Sequence, residues 1–131
     1  MVIPSTQSSF SSLRGLKKIG HITPSSNTAL EPITALLNAS RADRLSHYFT
    51  RIRVTQITLA DTAAGQFELD KMAAAADLLA DAPLDAIVWN GTAASWLGVE
   101  RDEELCRRIT ERTGLPSSTS TLAFHTAFRQ F

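Results

Sequence analysis

From Asp85 to Gly98 the chain reads Asp-Ala-Ile-Val-Trp-Asn-Gly-Thr-Ala-Ala-Ser-Trp-Leu-Gly, and this stretch limits the accessible folds more than any other. Residues 86–89 form a short unbroken apolar run, the pattern of a strand buried on both faces of a parallel sheet. The run breaks at Asn90-Gly91 into small residues, and a helical pattern follows. Ligands of open α/β sheets bind just beyond the carboxyl ends of strands. Gly91 lets the backbone approach a ligand, and Thr92 and Ser95 offer hydroxyls beside backbone N–H groups. This combination suits a small anion, a carboxylate above all, and contains no catalyst.

The flanking sequence extends the same logic. Lys17 to Thr23 reads as a first strand, followed by a Pro-Ser-Ser-Asn-Thr loop in which Asn27 or Thr28 is a helix N-cap. Glu31 in the first turn favours the helix dipole, and Pro32 is tolerated near a helix start. Ile33, Leu36 and Leu37 give that helix an apolar face, expected to be buried, and it fades around Asn38 to Ser40. Arg51 to Leu59 is β-branched and roughly alternating, which predicts a second strand. Leu69, Met72, Ala73, Ala76, Leu79 and Ala80 keep a 3.6-residue rhythm, so Phe67 to Asp81 is the clearest helix. Glu100 to Thr113 forms another, with Leu105, Cys106 and Ile109 on one side, Gly114 at C′ and Pro116 beyond. Ser117 to Ser120 is a short strand end, and Leu122 to Phe131 begins a further helix. The alternation of strands and helices predicts an α/β fold, a parallel sheet flanked by helices with right-handed crossovers.

Composition removes several classes of function. A chain of 131 residues, 44% hydrophobic, builds one domain with a real core. Its formal net charge of zero argues against a nucleic-acid or membrane-surface partner. No apolar run approaches the ~20 residues needed to span a bilayer. The single cysteine, Cys106, excludes an internal disulfide and fits a reducing, cytoplasmic setting. Residues 1–16 are Ser-rich and acid-free, and read as a disordered leader; an organellar targeting segment is the other reading of the same composition. Residues 17–131 then form the α/β lobe, and its end within a helical pattern suggests that the lobe is incomplete.

Three stretches in this order, Gly20 to Thr28, Asp85 to Gly98 and Gly114 to Thr121, with Thr50 to Val54 as a second strand, resemble the aspartate/glutamate racemase superfamily. Within it they are most similar to the maleate cis-trans isomerase and arylmalonate decarboxylase group. The resemblance covers residues 17–131 and implies the first lobe of a two-lobed fold whose active site lies between lobes. It implies cofactor-independent isomerisation, racemisation or decarboxylation of small carboxylic or dicarboxylic acids. By motif, Asn27 would bind a carboxylate, Thr92 would help form the carboxylate pocket, and Gly91 falls where two-cysteine members carry their first-lobe cysteine. Glycine there resembles the decarboxylase arrangement, in which the catalytic cysteine belongs to the second lobe. The expected substrate-binding set is therefore Asn27, Gly91, Thr92 and Ser95, with no catalytic residue, no metal and no cofactor. The lobe is expected to be inactive alone, with a missing second lobe or another copy as its partner. The rival readings are a non-catalytic carboxylate-binding or assembly module and a truncated product without function.

Other reactive side chains read as structural. Cys106 lies mid-helix beside Leu105 and three residues before Ile109, the place of a small core residue. His21 sits within the first strand, where a hydrogen-bonded structural histidine is expected, and His47 and His125 stand isolated in sequence. The histidines and the cysteine share no ligand spacing, so no metal site is expected. No Gly-x-Gly-x-x-Gly turn or P-loop supports nucleotide binding. Trp89 and Trp96 read as core packing, and Arg107, Arg108 and Arg112 as a solvated helix face.

Overall fold

The computed structural model describes residues 14–54, 63–91 and 98–131. Four strands, β1 (Lys17–Pro24), β2 (Leu45–Ile52), β3 (Ala86–Trp89) and β4 (Ser117–Thr119), form one sheet in the order β2-β1-β3-β4. All three pairings are parallel, so the α/β class read from the sequence is the observed one. The helices are α1 (Leu30–Asn38), α2 (Ala63–Ala80), α3 (Val99–Thr113) and α4 (Ser120–Gln130), with a 3-10 turn at Ala39–Arg41.

The core lies on one face of the sheet. Ile22, Ile52, Ile87 and Trp89 pack with Leu69, Met72, Ala76 and Leu79 of α2 and with Leu105 and Ile109 of α3. These helical positions recur at three and four residues, the spacing that puts them on one stripe. At Gly20 an added Cβ would stand 2.7 Å from Leu84 and 3.1 Å from Leu79, so glycine lets α2 pass close to β1. Gly114 ends α3 in the left-handed region at φ 73°, its N–H bonded to the Thr110 carbonyl at 2.8 Å. Arg107, Arg108 and Arg112 are not merely solvated. Arg107 pairs with Glu104 and Glu111 along α3, while Arg108 reaches Asp70 and Arg112 reaches Asp77, both on α2.

Two expectations are corrected. β2 ends at Ile52 rather than running from Arg51 to Leu59, because its partner decides the register: Lys17 pairs with Leu45 and Pro24 with Ile52. Alternation at Ile52 and Val54 is only a local signal, whereas parallel pairing to β1 satisfies a whole ladder of backbone groups; residues 55–59 lie outside the described part. The apolar face of α1 is not buried either. Ile33, Leu36 and Leu37 are 52%, 77% and 72% exposed, and α1 buries no residue at all. The core helices α2 and α3 pack on the apolar face of the sheet, whereas α1 touches β2 through Asn38 with Leu45 and through Glu31 with Arg51. At the other end of the chain α4 likewise exposes Phe124 and Phe128. No helix among the described residues is long and apolar enough to cross a membrane.

Candidate carboxylate site at the strand reversal

β1 has β2 on one side and β3 on the other, so the sheet grows in both directions from β1. Where strand order reverses, connecting segments diverge and leave a crevice outside the carboxyl ends. The loop after β1 holds Asn27, and the turn after β3 holds Asn90 and Gly91. These two candidates therefore belong to neighbouring strand ends. Thr92 and Ser95, as well as Trp96, lie outside the described residues.

Asn27 caps the turn that leads into α1, whose N-cap residue is Ala29 rather than Asn27 or Thr28. The Oδ1 of Asn27 accepts from the N–H groups of Ala29 at 3.0 Å and Leu30 at 2.9 Å, satisfying donors that the first turn of α1 would leave open. Its own N–H donates to the Pro24 carbonyl at 3.0 Å. The Nδ2 group is what remains to meet a ligand. Arg51 fixes the loop from outside: its Nη1 donates to the Asn27 carbonyl at 2.5 Å, and its Nη2 pairs with Glu31. A planar guanidinium can serve both partners at once in a way a lysine cannot.

Gly91 is shaped by Trp89. A Cβ at Gly91 would lie 2.3 Å from the indole Cε2 and Cζ2 and 2.5 Å from Nε1. The ring of Trp89, itself buried in the core, thus folds over the glycine. Any side chain here requires the indole to move. The absence of a cysteine at this position consequently has a steric reason in this chain, independent of chemistry.

Asn90 ties the turn to a pair of histidines that the sequence reading separated. Its N–H donates to the Ile22 carbonyl at 3.1 Å, and its Nδ2 donates to Nδ1 of His21 at 2.6 Å. A ring nitrogen that accepts carries no proton, so His21 is protonated on Nε2, which lies 2.8 Å from Nδ1 of His47. The chain Asn90 to His21 to His47 is therefore a directed series of donors and acceptors with both rings neutral. His21 is 8% exposed and stacks on Phe49 with ring centroids 4.6 Å apart. Burial, then the neighbouring His47, hold its pKa down at about 4. Burial also lowers His47. His47 stands alone in the sequence, but it lies within β2, which sets it opposite Ile19 and Phe49 opposite His21.

Among the described residues these strand ends carry no activated nucleophile. Cys106 is half-buried on α3, and burial pushes its thiol up, with Asp102 and Glu103 adding to the rise against a hydrogen bond from Ser117. A thiol so placed stays protonated at neutral pH and is a poor nucleophile. Asp102 is buried, its carboxyl raised by burial and partly restored by the hydroxyl of Thr119. Thr119 also caps α4, accepting from Leu122 N–H at 3.1 Å. Among the described residues no three His, Cys, Asp or Glu side chains gather closely enough to share a metal ion. Compared with known proteins, the sequence matches no protein-family model and no curated protein.

Proposed function

We propose that this chain is the first lobe of a cofactor-independent isomerase or decarboxylase similar to the maleate isomerase and arylmalonate decarboxylase group of the aspartate/glutamate racemase superfamily. In this reading it binds a small carboxylic or dicarboxylic acid at the carboxyl ends of β1 and β3. The observation that carries the reading is the position of Asn27 and Asn90-Gly91 on either side of the strand reversal in the β2-β1-β3-β4 sheet. The Asn27 carboxamide nitrogen and backbone donors of the second turn would hold the carboxylate, and fixed donors of this kind stabilise the enediolate formed when a proton or CO2 leaves the α-carbon. Cys106, raised and sited on α3, is not suited to be the acid or base, so the lobe binds without turning substrate over.

The test is a titration of the isotope-labelled full chain with malonate and maleate. Amide shifts confined to Ser25–Leu30 and Ala86–Gly91, with no isomerisation or decarboxylation by the chain alone, are expected. Shifts elsewhere only, or measurable turnover without a second lobe, would refute the reading.

A second reading, a non-catalytic carboxylate-binding or assembly module, draws on the exposed Ile33, Leu36 and Leu37 of α1 and Phe124 and Phe128 of α4. Apolar side chains clustered on a helix favour association. Light scattering showing a monomer across the micromolar range would count against it.

A further inference from the structure

Among the described residues β2 pairs only with β1, and its outer rim is an open sheet edge. Lys17 N–H donates to the Arg44 carbonyl and Ser25 N–H to the Ile52 carbonyl, both at 2.8 Å. In the parallel register of β1 with β2, the even-numbered residues from Arg44 to Ile52 therefore turn their backbone groups to β1. Leu45, His47, Phe49 and Arg51 turn theirs outward. The Leu45 carbonyl accepts from Asn38 Nδ2 at 3.0 Å. The outward groups of His47, Phe49 and Arg51 have no backbone partner among the described residues.

An open edge is a template for another strand, and proteins blunt it with short strands, lysines, prolines or bulges. At the other edge β4 is three residues long. β2 is eight residues long, without lysine or proline, and pairs with β1 without a break. Its one charged side chain, Arg51, is turned to Glu31 and to the loop before α1.

The strand is complementary to itself. In an antiparallel pair of two β2 strands centred on Tyr48, His47 faces Phe49 and Leu45 faces Arg51, and these pairs exchange the outward backbone groups. Tyr48 then faces Tyr48, and Ser46 faces Thr50. No like charges meet, and aromatic and hydroxyl pairs of this kind stabilise neighbouring strands. The two-fold axis of such a pair is perpendicular to the sheet, so both α1 helices come to the same face beside it. Leu37 and Asn38 of α1 line a groove with Leu45 and His47 at this edge, and Ile33, Leu36 and Leu37 are the exposed stripe of that helix. An extended peptide would fill the rim and leave the stripe in water. A second copy covers both.

We propose that β2 pairs with β2 of a second copy of this chain, antiparallel and centred on Tyr48, joining the two sheets into one and packing the two α1 stripes together. This pairing rests on the assembly reading above, to which it adds the partner and the surface, and is independent of carboxylate binding.

Sedimentation equilibrium of the full chain is the test. Tyr48 is 41% exposed, so Tyr48→Lys and Tyr48→Glu leave the core intact while setting like charges against each other across the axis. The natural chain is expected to dimerise in the micromolar range, each variant alone to associate roughly tenfold more weakly, and an equimolar mixture of the two to recover a dimer. Leu36→Lys should weaken the natural dimer as well. A monomer throughout that range, the outcome if the rim is capped within one chain or takes a foreign peptide, would overturn both this inference and the assembly reading. A dimer indifferent to Tyr48→Lys or to Leu36→Lys, or a mixture no stronger than its components, would overturn the inference alone. Loss of that indifferent dimer on Phe128→Lys would place the assembly surface on α4 instead.

Discussion

The imidazole of His21 stands 2.8 Å from that of His47, nitrogen to nitrogen, although the two residues come from different strands and neither ring is charged in this arrangement. The contact orders three side chains in series, and its polarity is dictated by the donor at its far end, Asn90. His21 is thereby held at the carboxyl half of β1, next to the turn where a ligand is expected.

Because His21 titrates near 4 when folded and near 6.5 otherwise, its neutral form stabilises the fold. The contribution is whole above pH 6.5 and is lost as pH falls from 6.5 towards 4, where the unfolded chain binds the extra proton first. Allowing for partial solvent access to the ring, the loss is about 2 kcal/mol. Urea unfolding at pH 7 and pH 4.5 measures it, and His21→Gln should flatten this dependence. A natural protein equally stable at both pH values would contradict the assignment.

Gly91→Ala should destabilise by about 1–3 kcal/mol, the usual effect of forcing a side chain into a packed region. The indole of Trp89 must leave its position, so a change in tryptophan fluorescence should accompany the loss. Gly91→Cys should behave similarly, and for the same reason should not create an isomerase.

Replacing Asn27 separates capping from ligand binding. Asn27→Ala removes the acceptor for Ala29 and Leu30 and should cost about 1 kcal/mol in a denaturant melt. Asn27→Asp keeps the cap while replacing the Nδ2 donor by a negative oxygen. Stability near that of the natural protein, together with loss of malonate-induced shifts, is expected for the aspartate variant. Equal malonate binding by natural protein and Asn27→Asp would restrict Asn27 to capping.

Thr119→Val takes a hydroxyl from a buried carboxylate and a cap from α4 in one substitution. A loss of about 2–3 kcal/mol is expected, since Asp102 is left without its neutral donor in a place water barely reaches. In the double variant Thr119→Val with Asp102→Asn the combined loss should be smaller than the sum of the two single losses. Additive losses would show that the two side chains act independently.

Much of the architecture was legible along the chain. The 3.6-residue spacing from Leu69 to Leu79, the run from Ala86 to Trp89 and the Gly114 stop each carry their structural instruction locally, and each element formed where its pattern lies. Asn27 was likewise readable as a cap, since a short side-chain oxygen two or three residues before open amides needs no distant partner. What period and propensity could not supply was which strand lies beside which. Pairing with β1 puts the second strand at Leu45–Ile52, and β3 takes the other edge of β1. That same pairing turned two histidines apart in sequence into neighbours and set the turns of Asn27 and Gly91 at adjacent strand ends. Tertiary structure also decided that the apolar stripe of α1 faces outward, because a stripe encodes a preference for burial and not the presence of a layer to receive it. Local patterns depend on backbone sterics and nearest neighbours, whereas register, crevice and histidine pair depend on contacts between segments 26 to 69 residues apart.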